Sequence, residues 1–254
     1  MGRATGFVTL VHQEFFRFWR LIRQTVFPPI LTTLLFILIF GFSLGGRIQA
    51  VHGFSYIVFI IPGLAAMGVM NNAFSNTSSS LYMARFDQSL DNILAAPLRP
   101  IEIVLALVIG GIARGLLIGA ITLLVSLLML KQPLFNFGVT LFFFVAQSII
   151  FGCWGIIGAL RAKTWDTLAT TQTFIITPMV YLGGVFYSVK MLPGIWQKIS
   201  LVNPMFYLID GFRHAILGVS DMPLALSLSM TVGLVSLTLG IAVYLFRIGY
   251  KLVV

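Results

Sequence analysis

Ionisable and amide side chains set in otherwise apolar stretches are where this chain of 254 residues could do chemistry, and they are few. His12, His52 and His214 fall in three separate places, with neither the HExxH spacing of a metallohydrolase nor a paired carboxylate beside them. The nearest imitation of a phosphate-binding loop ends in Ala162–Lys163–Thr164. Ala162 stands where a glycine should precede the lysine, and Ile157 where the upstream glycine belongs. Without those glycines the backbone cannot wrap phosphates, so no ATP-hydrolysing site and no cofactor site are expected on this chain. Cys153 is the single cysteine and lies in an apolar run, which leaves no internal disulfide and no metal cage to expect.

Two polar features remain. Arg114 interrupts the apolar run Ile103–Leu130 about 11 residues in, near mid-depth at the 1.5 Å rise of a helix. A charge there must face protein or water, either as a clamp on carbonyls or an acid, or as part of a gate or substrate contact. The segment "NNAFSNTSSS" (71–80) is too polar for lipid. Asn71, Asn72, Asn76 and Ser79 are read as lining a cavity or as bonding helix to helix. Gly111, Gly115 and Gly119 share one helix face, suited to close packing within the chain or at a seam between copies.

The elements that must position these groups follow from composition. The chain is 59% hydrophobic and 9% charged, with a mean hydropathy of +1.02. A soluble domain of this size cannot hide so much apolar surface, so soluble enzymes, nucleic-acid-binding domains and disordered chains are excluded. The net charge of +9 contains no basic run for a nucleic acid and fits cationic loops facing anionic lipid. Glu14, Arg17, Arg20 and Arg23 break up the first residues where a cleavable signal would need an apolar core. Charge-free stretches predict six spans at about 25–46, 54–82, 103–130, 138–160, 167–189 and 223–247. Both termini then lie on one side. Placing them in the cytoplasm sets ten cations inside against five outside (Arg47, Lys131, Lys190, Lys198 and Arg213), which favours that orientation.

Three segments do not simply span. In residues 1–24, Val8, Val11, Phe15, Phe18, Trp19 and Ile22 form one helical stripe, with Gln13, Arg17, Arg20 and Gln24 opposite. This predicts an amphipathic helix in the cytoplasmic interface, with Phe15 and Trp19 dipped into the headgroups beside Arg17 and Arg20, before Pro28–Pro29 turn the chain into the first span. The loop Arg85–Glu102 carries Asp87, Asp91 and Glu102 around an apolar trio, Leu90, Ile93 and Leu94, closed by Pro97 and Pro100. A solvated loop has no need of that trio, whereas a short helix docking into another protein has. The stretch Lys190–Asp221 is too long for a turn and too mixed for a span, and is broken at Pro193–Gly194 and Asn203–Pro204. Two short helices re-entering the outer leaflet fit it, with Tyr187, Trp196, Phe206 and Tyr207 as an aromatic belt or as a lid. Pro178 predicts a kink or hinge in the fifth span.

This order of parts resembles the ABC-2 type exporter permeases. "NILAAPLRP" (92–100) looks like that family's coupling helix, and "YLGGVFYSVKMLPGIWQKISLVNPMFYLIDGFRHAILG" (181–218) resembles its hairpin. The likeness runs over nearly the whole chain and is nearest to small bacterial half-permeases. It implies an all-α membrane protein of 25–254 behind an N-terminal interfacial helix, in the bacterial inner membrane, pairing with a second copy and two ABC ATPase subunits that hold ATP and Mg. By that resemblance Asp91, Asn92, Ile93, Leu94, Ala95 and Pro97 would contact the ATPase, and Arg161–Thr167 would contact it less. Asn71, Asn72, Asn76, Arg114, Phe206 and Tyr207 would line a cavity or gate. The family often carries two acids near the coupling helix, where this chain has Asp91–Asn92. The resemblance implies export of an amphiphilic, lipid-like or glycan substrate. The alternative is a subunit that uses ATP hydrolysis to move a partner protein without transporting anything. A secondary carrier would need two inverted halves, and none are visible along the chain.

Overall fold

The computed structural model describes residues 3–20, 22–40, 50–130 (side chains up to 124) and 134–252. Arg47, Lys131 and the expected end of the first span at 46 lie outside the described residues. Helices α1 (Arg3–Arg20) and α2 (Ile22–Leu38) run at 63° to each other. The bend precedes Pro28–Pro29, which lie inside α2, so the prolines do not make the turn expected of them. Pro28 and Pro29 stand seventh and eighth in α2, past the four leading N–H groups that have no acceptor within a helix, so each removes one backbone hydrogen bond from it.

Among the described residues, four helices are long and apolar enough to cross a membrane: α3 (Tyr56–Phe86), α5 (Pro100–Leu130), α6 (Phe137–Arg161) and α11 (Leu224–Arg247). The bent pair α1–α2 would make a fifth. Between α3 and α5 sits the short α4 (Ser89–Ala95). The expected fifth span begins as α7 (Trp165–Thr171), passes through a π turn at Gln172–Ile176 and ends in α8 (Thr177–Tyr181). It stops at Tyr181 rather than Val189. Gly183 and Gly184 follow, and Gly184 adopts a left-handed φ of +84°, which ends helices. After a 3₁₀ turn come α9 (Gly194–Val202) and α10 (Pro204–Leu217), with Asn203 Oδ1 capping α10 at the Met205 N–H. Asn203–Pro204 breaks the hairpin because proline suits the first helical position and the asparagine caps it.

Helix α3 is the axis of the bundle, enclosed by α5, α6 and α10. Its approach to α5 and α6 depends on missing side chains. A Cβ on Gly115 of α5 would lie 2.7 Å from Ser148 Oγ on α6, and one on Gly155 of α6 would lie 2.6 Å from the Phe74 carbonyl of α3. The Gly111–Gly115–Gly119 face is therefore used for packing inside the chain, against α3 and α6. The chain order sets two ends. The α4 end holds the C-termini of α3, α6 and α11; the α10 end holds the N-termini of α3 and α6, where Phe135 and Asn136 N–H donate to the Ile216 and Ala215 carbonyls at 3.0 and 2.9 Å.

Candidate functional site

The polar run of α3 does not form an open cavity wall in the single chain. Asn72 and Asn76 are buried and Asn71 is half-buried. Arg114 Nε donates to Asn72 Oδ1 at 3.1 Å, and Asn72 Nδ2 in turn donates to the Gly68 carbonyl at 2.9 Å. Arg114 is thus held by a side-chain amide rather than by the carbonyls or acid anticipated for it. Asn76 and its neighbours hold a second cation. Arg17 Nη2 of α1 donates to Glu14 Oε2 at 2.9 Å, to the Asn76 carbonyl at 3.0 Å and to Asn76 Oδ1 at 3.3 Å; its Nη1 reaches Ser79 Oγ at 3.4 Å. Glu14, only 4% exposed, also accepts from Ser80 Oγ.

Arg17 therefore turns into the bundle, away from Arg20, which is exposed with Phe15 and Trp19. Leu10, Glu14 and Phe18, four residues apart, form the buried face of α1. The apolar stripe placed Phe15 and Trp19 with Phe18; the structure separates them, because contact with α3 and α5 selects a stripe that includes an acid. Gly110 makes room for it. A Cβ there would lie 3.0 Å from Glu14 Cβ and 3.2 Å from Asn76 Nδ2. Asn71 is left to α7's side of α3, where Gln172 Nε2 donates to its Oδ1 at 3.4 Å.

A second polar cluster lies at the α10 end. Asp210 is fully buried and accepts from the Asp221 and Met222 N–H groups at 2.8 and 3.0 Å. Asp221 accepts from Ser188 Oγ at 2.6 Å and the Val189 N–H at 2.8 Å, and lies 3.0 Å from His52 Nε2. Arg213, 1% exposed, donates to the Gly184 carbonyl at 2.6 Å, with its guanidinium 4.1 Å over the Phe59 ring. The expectation had Arg213 among the loop cations and Phe206 in an aromatic belt or a lid. Both are buried instead, because α10 packs against α3, α6 and α11. Tyr207 is half-buried and donates to the Leu201 carbonyl at 2.9 Å. Glu14, Asp210 and Asp221 were missed as site residues. The available signal was the rarity of acids, of which the chain has only seven.

At the α4 end, Leu90 is buried and anchors α4, and Ile93 packs beside it. Asp91, Asn92, Leu94, Ala95 and Pro97 are exposed. Helix α4 thus turns one apolar residue inward and offers a mixed acidic, amide and apolar face outward. Its entry is fixed by Asp87, whose Oδ1 accepts the Ser89 N–H at 3.1 Å. The hydrogen bonds from Ser89, side chain first and then backbone, hold the Asp87 carboxyl below its usual range.

An apolar helical bundle with a short outward-facing helix between its second and third long segments is the arrangement against which known proteins can be compared. Residues 5–217 match the profile of the ABC-2 type transporter family. The chain belongs to that family. It is similar to the inner membrane transport permease YadH of Escherichia coli (strain K12), with 39% identity over 220 residues, 87% of this chain and 86% of that protein. It is more distantly similar to nodulation protein J of Sinorhizobium fredii (27% over 180 residues, 70% of this chain and 68% of that one) and of Rhizobium meliloti (25% over 179 residues, 70% and 68%). As an ABC-2 type transporter it is a multi-pass, all-α membrane protein and a transmembrane transport subunit of an ABC transporter.

Proposed function

We propose that this chain is the exporting permease of an ABC transporter, working as a homodimer with two separate ATPase subunits that carry ATP and Mg. The observation that carries the proposal is α4. It is a seven-residue helix held to the bundle by Leu90, with Asp91, Asn92, Leu94, Ala95 and Pro97 free to contact another protein. In this reading ATP-driven closure of the ATPase pair pushes α4, and α3 and α5 on either side of it carry the displacement into the membrane. Asp91 supplies the charge of the contact and Leu94 its apolar anchor, and Asn92 makes a neutral hydrogen bond beside them.

The same reading counts six spans, with α2 as the first, the run α7–α8 as the fifth, α9–α10 as a hairpin re-entering the outer leaflet, and both termini in the cytoplasm. The similarity to an inner membrane transport permease supports the bacterial inner membrane as its location. Asn71 and Gln172 are the polar groups best placed to meet a substrate, since Asn72 and Asn76 are committed to Arg114 and Arg17. An amphiphilic, lipid-like or glycan substrate suits a path with amides and no free charge.

The test is co-purification of the chain with candidate ATPase subunits, comparing wild type with Asp91→Lys/Leu94→Lys. Wild type is expected to retain an ATPase and stimulate its activity, and the double variant to lose both. Equal retention by the variant would remove α4 from the coupling role. Retention with ATP-dependent movement of a partner protein, and no substrate efflux, would favour mechanical transmission over transport.

A further inference from the structure

Beside α4 lies a cavity of about 640 Å³, which Asp91 of the proposed ATPase contact borders together with Arg161 and Lys163. Its walls come from the C-terminal ends of α3 and α6, from α4 and from the segment that follows α11, so it opens where the long apolar helices finish. Four cations line it, Arg85, Arg161, Lys163 and Lys251, against the single carboxylate of Asp91. Among the described residues none of the four is in an ion pair. Arg85 donates through Nη1 to the Ala159 and Ala162 carbonyls at 2.7 and 3.3 Å, which fixes its guanidinium at the wall, while its buried Nε has no partner. Between these charges the surface is apolar, formed by Tyr82, Phe86 and Leu252, with Phe86 75% exposed at the mouth. Trp165 stands edge-on to Tyr82 with ring centroids 5.5 Å apart, and is itself half exposed.

We propose that this cavity binds the headgroup of an acidic phospholipid from the adjacent leaflet. The phosphate sits among Arg161, Lys163 and Lys251, and an acyl chain lies along Tyr82, Phe86 and Leu252. Cations at the ends of membrane helices attract anionic headgroups, and aromatic rings such as Phe86 and Trp165 favour that depth. A free anion would match the cations but has no use for the apolar wall. A bound lipid here would touch α4 through Asp91 and Leu90, both of which line the same cavity.

The full chain in detergent would be titrated with dioctanoyl phosphatidylglycerol, dioctanoyl phosphatidylcholine and inorganic phosphate, reading thermal stabilisation and bound mass by native mass spectrometry. Phosphatidylglycerol is expected to stabilise saturably, and the other two are not. Lys163→Gln/Lys251→Gln should weaken that affinity at least about tenfold, since each basic side chain contributes to headgroup attraction. Lys163→Arg/Lys251→Arg should restore it, and Lys190→Gln/Lys198→Gln, an equal loss of charge on exposed residues away from the cavity, should leave it unchanged. These lysines are exposed, so the variants should melt like wild type without lipid. Four results would overturn the proposal: phosphatidylcholine stabilising as well as phosphatidylglycerol; inorganic phosphate saturating with the same lysine dependence; the two glutamine pairs losing affinity equally; or the glutamine pair at 163 and 251 keeping its lipid affinity while losing an ATPase subunit, which would make the cavity a protein contact.

Discussion

The two buried polar clusters are built from similar residues and do opposite things. At the α10 end, carboxylates and a guanidinium bond mainly to backbone: Asp210 to two N–H groups after α10, Asp221 to the Val189 N–H, and Arg213 to the Gly184 carbonyl. Each bond pins a loop, and a pinned loop has few other arrangements. Between α1, α3 and α5 the partners are mostly side chains: Glu14 with Arg17 and Ser80, and Arg114 with Asn72. Side chains can exchange partners when helices slide. The comparison separates a fixed end from a joint, and the joint lies where α1 meets the two helices flanking α4.

Breaking the fixed end should have the largest effect. Asp210→Ala strands two buried N–H groups and leaves Arg213 less compensated, a loss of about 3–5 kcal/mol. Little folded protein should survive detergent extraction, as judged by size-exclusion chromatography. Next is Glu14→Ala, which leaves Arg17 without its carboxylate at a cost of about 2–3 kcal/mol. Arg17→Ala in the same chain should recover part of that, so a double-mutant cycle on melting temperature should show a coupling of about 1–3 kcal/mol. A coupling near zero would make the joint a surface ion pair. Asn72→Leu removes the acceptor that holds the Arg114 guanidinium and should cost about 1–3 kcal/mol, with ATPase stimulation falling more than stability if the joint transmits movement.

The smallest effect is at the entry to α4. The Asp87 carboxyl is held below its ordinary range by the Ser89 bonds, so the ionised form favours the folded turn. Its contribution is present above the unfolded value of about 4 and is lost as pH falls through the lower folded value. Asp87→Asn should therefore melt slightly below wild type at pH 7, and the gap should close under acid conditions. A gap that persisted there would assign the turn's stability to something else.

Much of this was legible in the sequence. The charge-free runs marked α3, α5, α6 and α11, because apolar length alone decides a membrane helix. The trio Leu90, Ile93 and Leu94 marked α4, because a loop has no reason to carry it. The clusters were illegible for a physical reason. Glu14 looked like one more polar residue on an amphipathic helix, and only a tertiary contact at Gly110 shows that its face is buried. His52, Ser188, Asp210 and Asp221 are brought together from distant parts of the chain by the bundle, and no periodicity connects them. Arg17 was misplaced because the hydrophobic stripe is an average over neighbours, whereas its partners on α3 are specific.

The π turn at Gln172–Ile176 has a consequence for how the run from Trp165 to Tyr181 should be drawn. The Thr177 N–H reaches back five residues to the Gln172 carbonyl, and Pro178, which offers no N–H, follows immediately. One surplus residue amounts to a phase slip of about 100° on a helical wheel. A single wheel through 165–181 therefore superimposes residues that point in different directions, and Thr167 and Thr171 cannot be projected onto the side occupied by Met179 or Tyr181. Two wheels, cut at the slip, are the correct description of that helix.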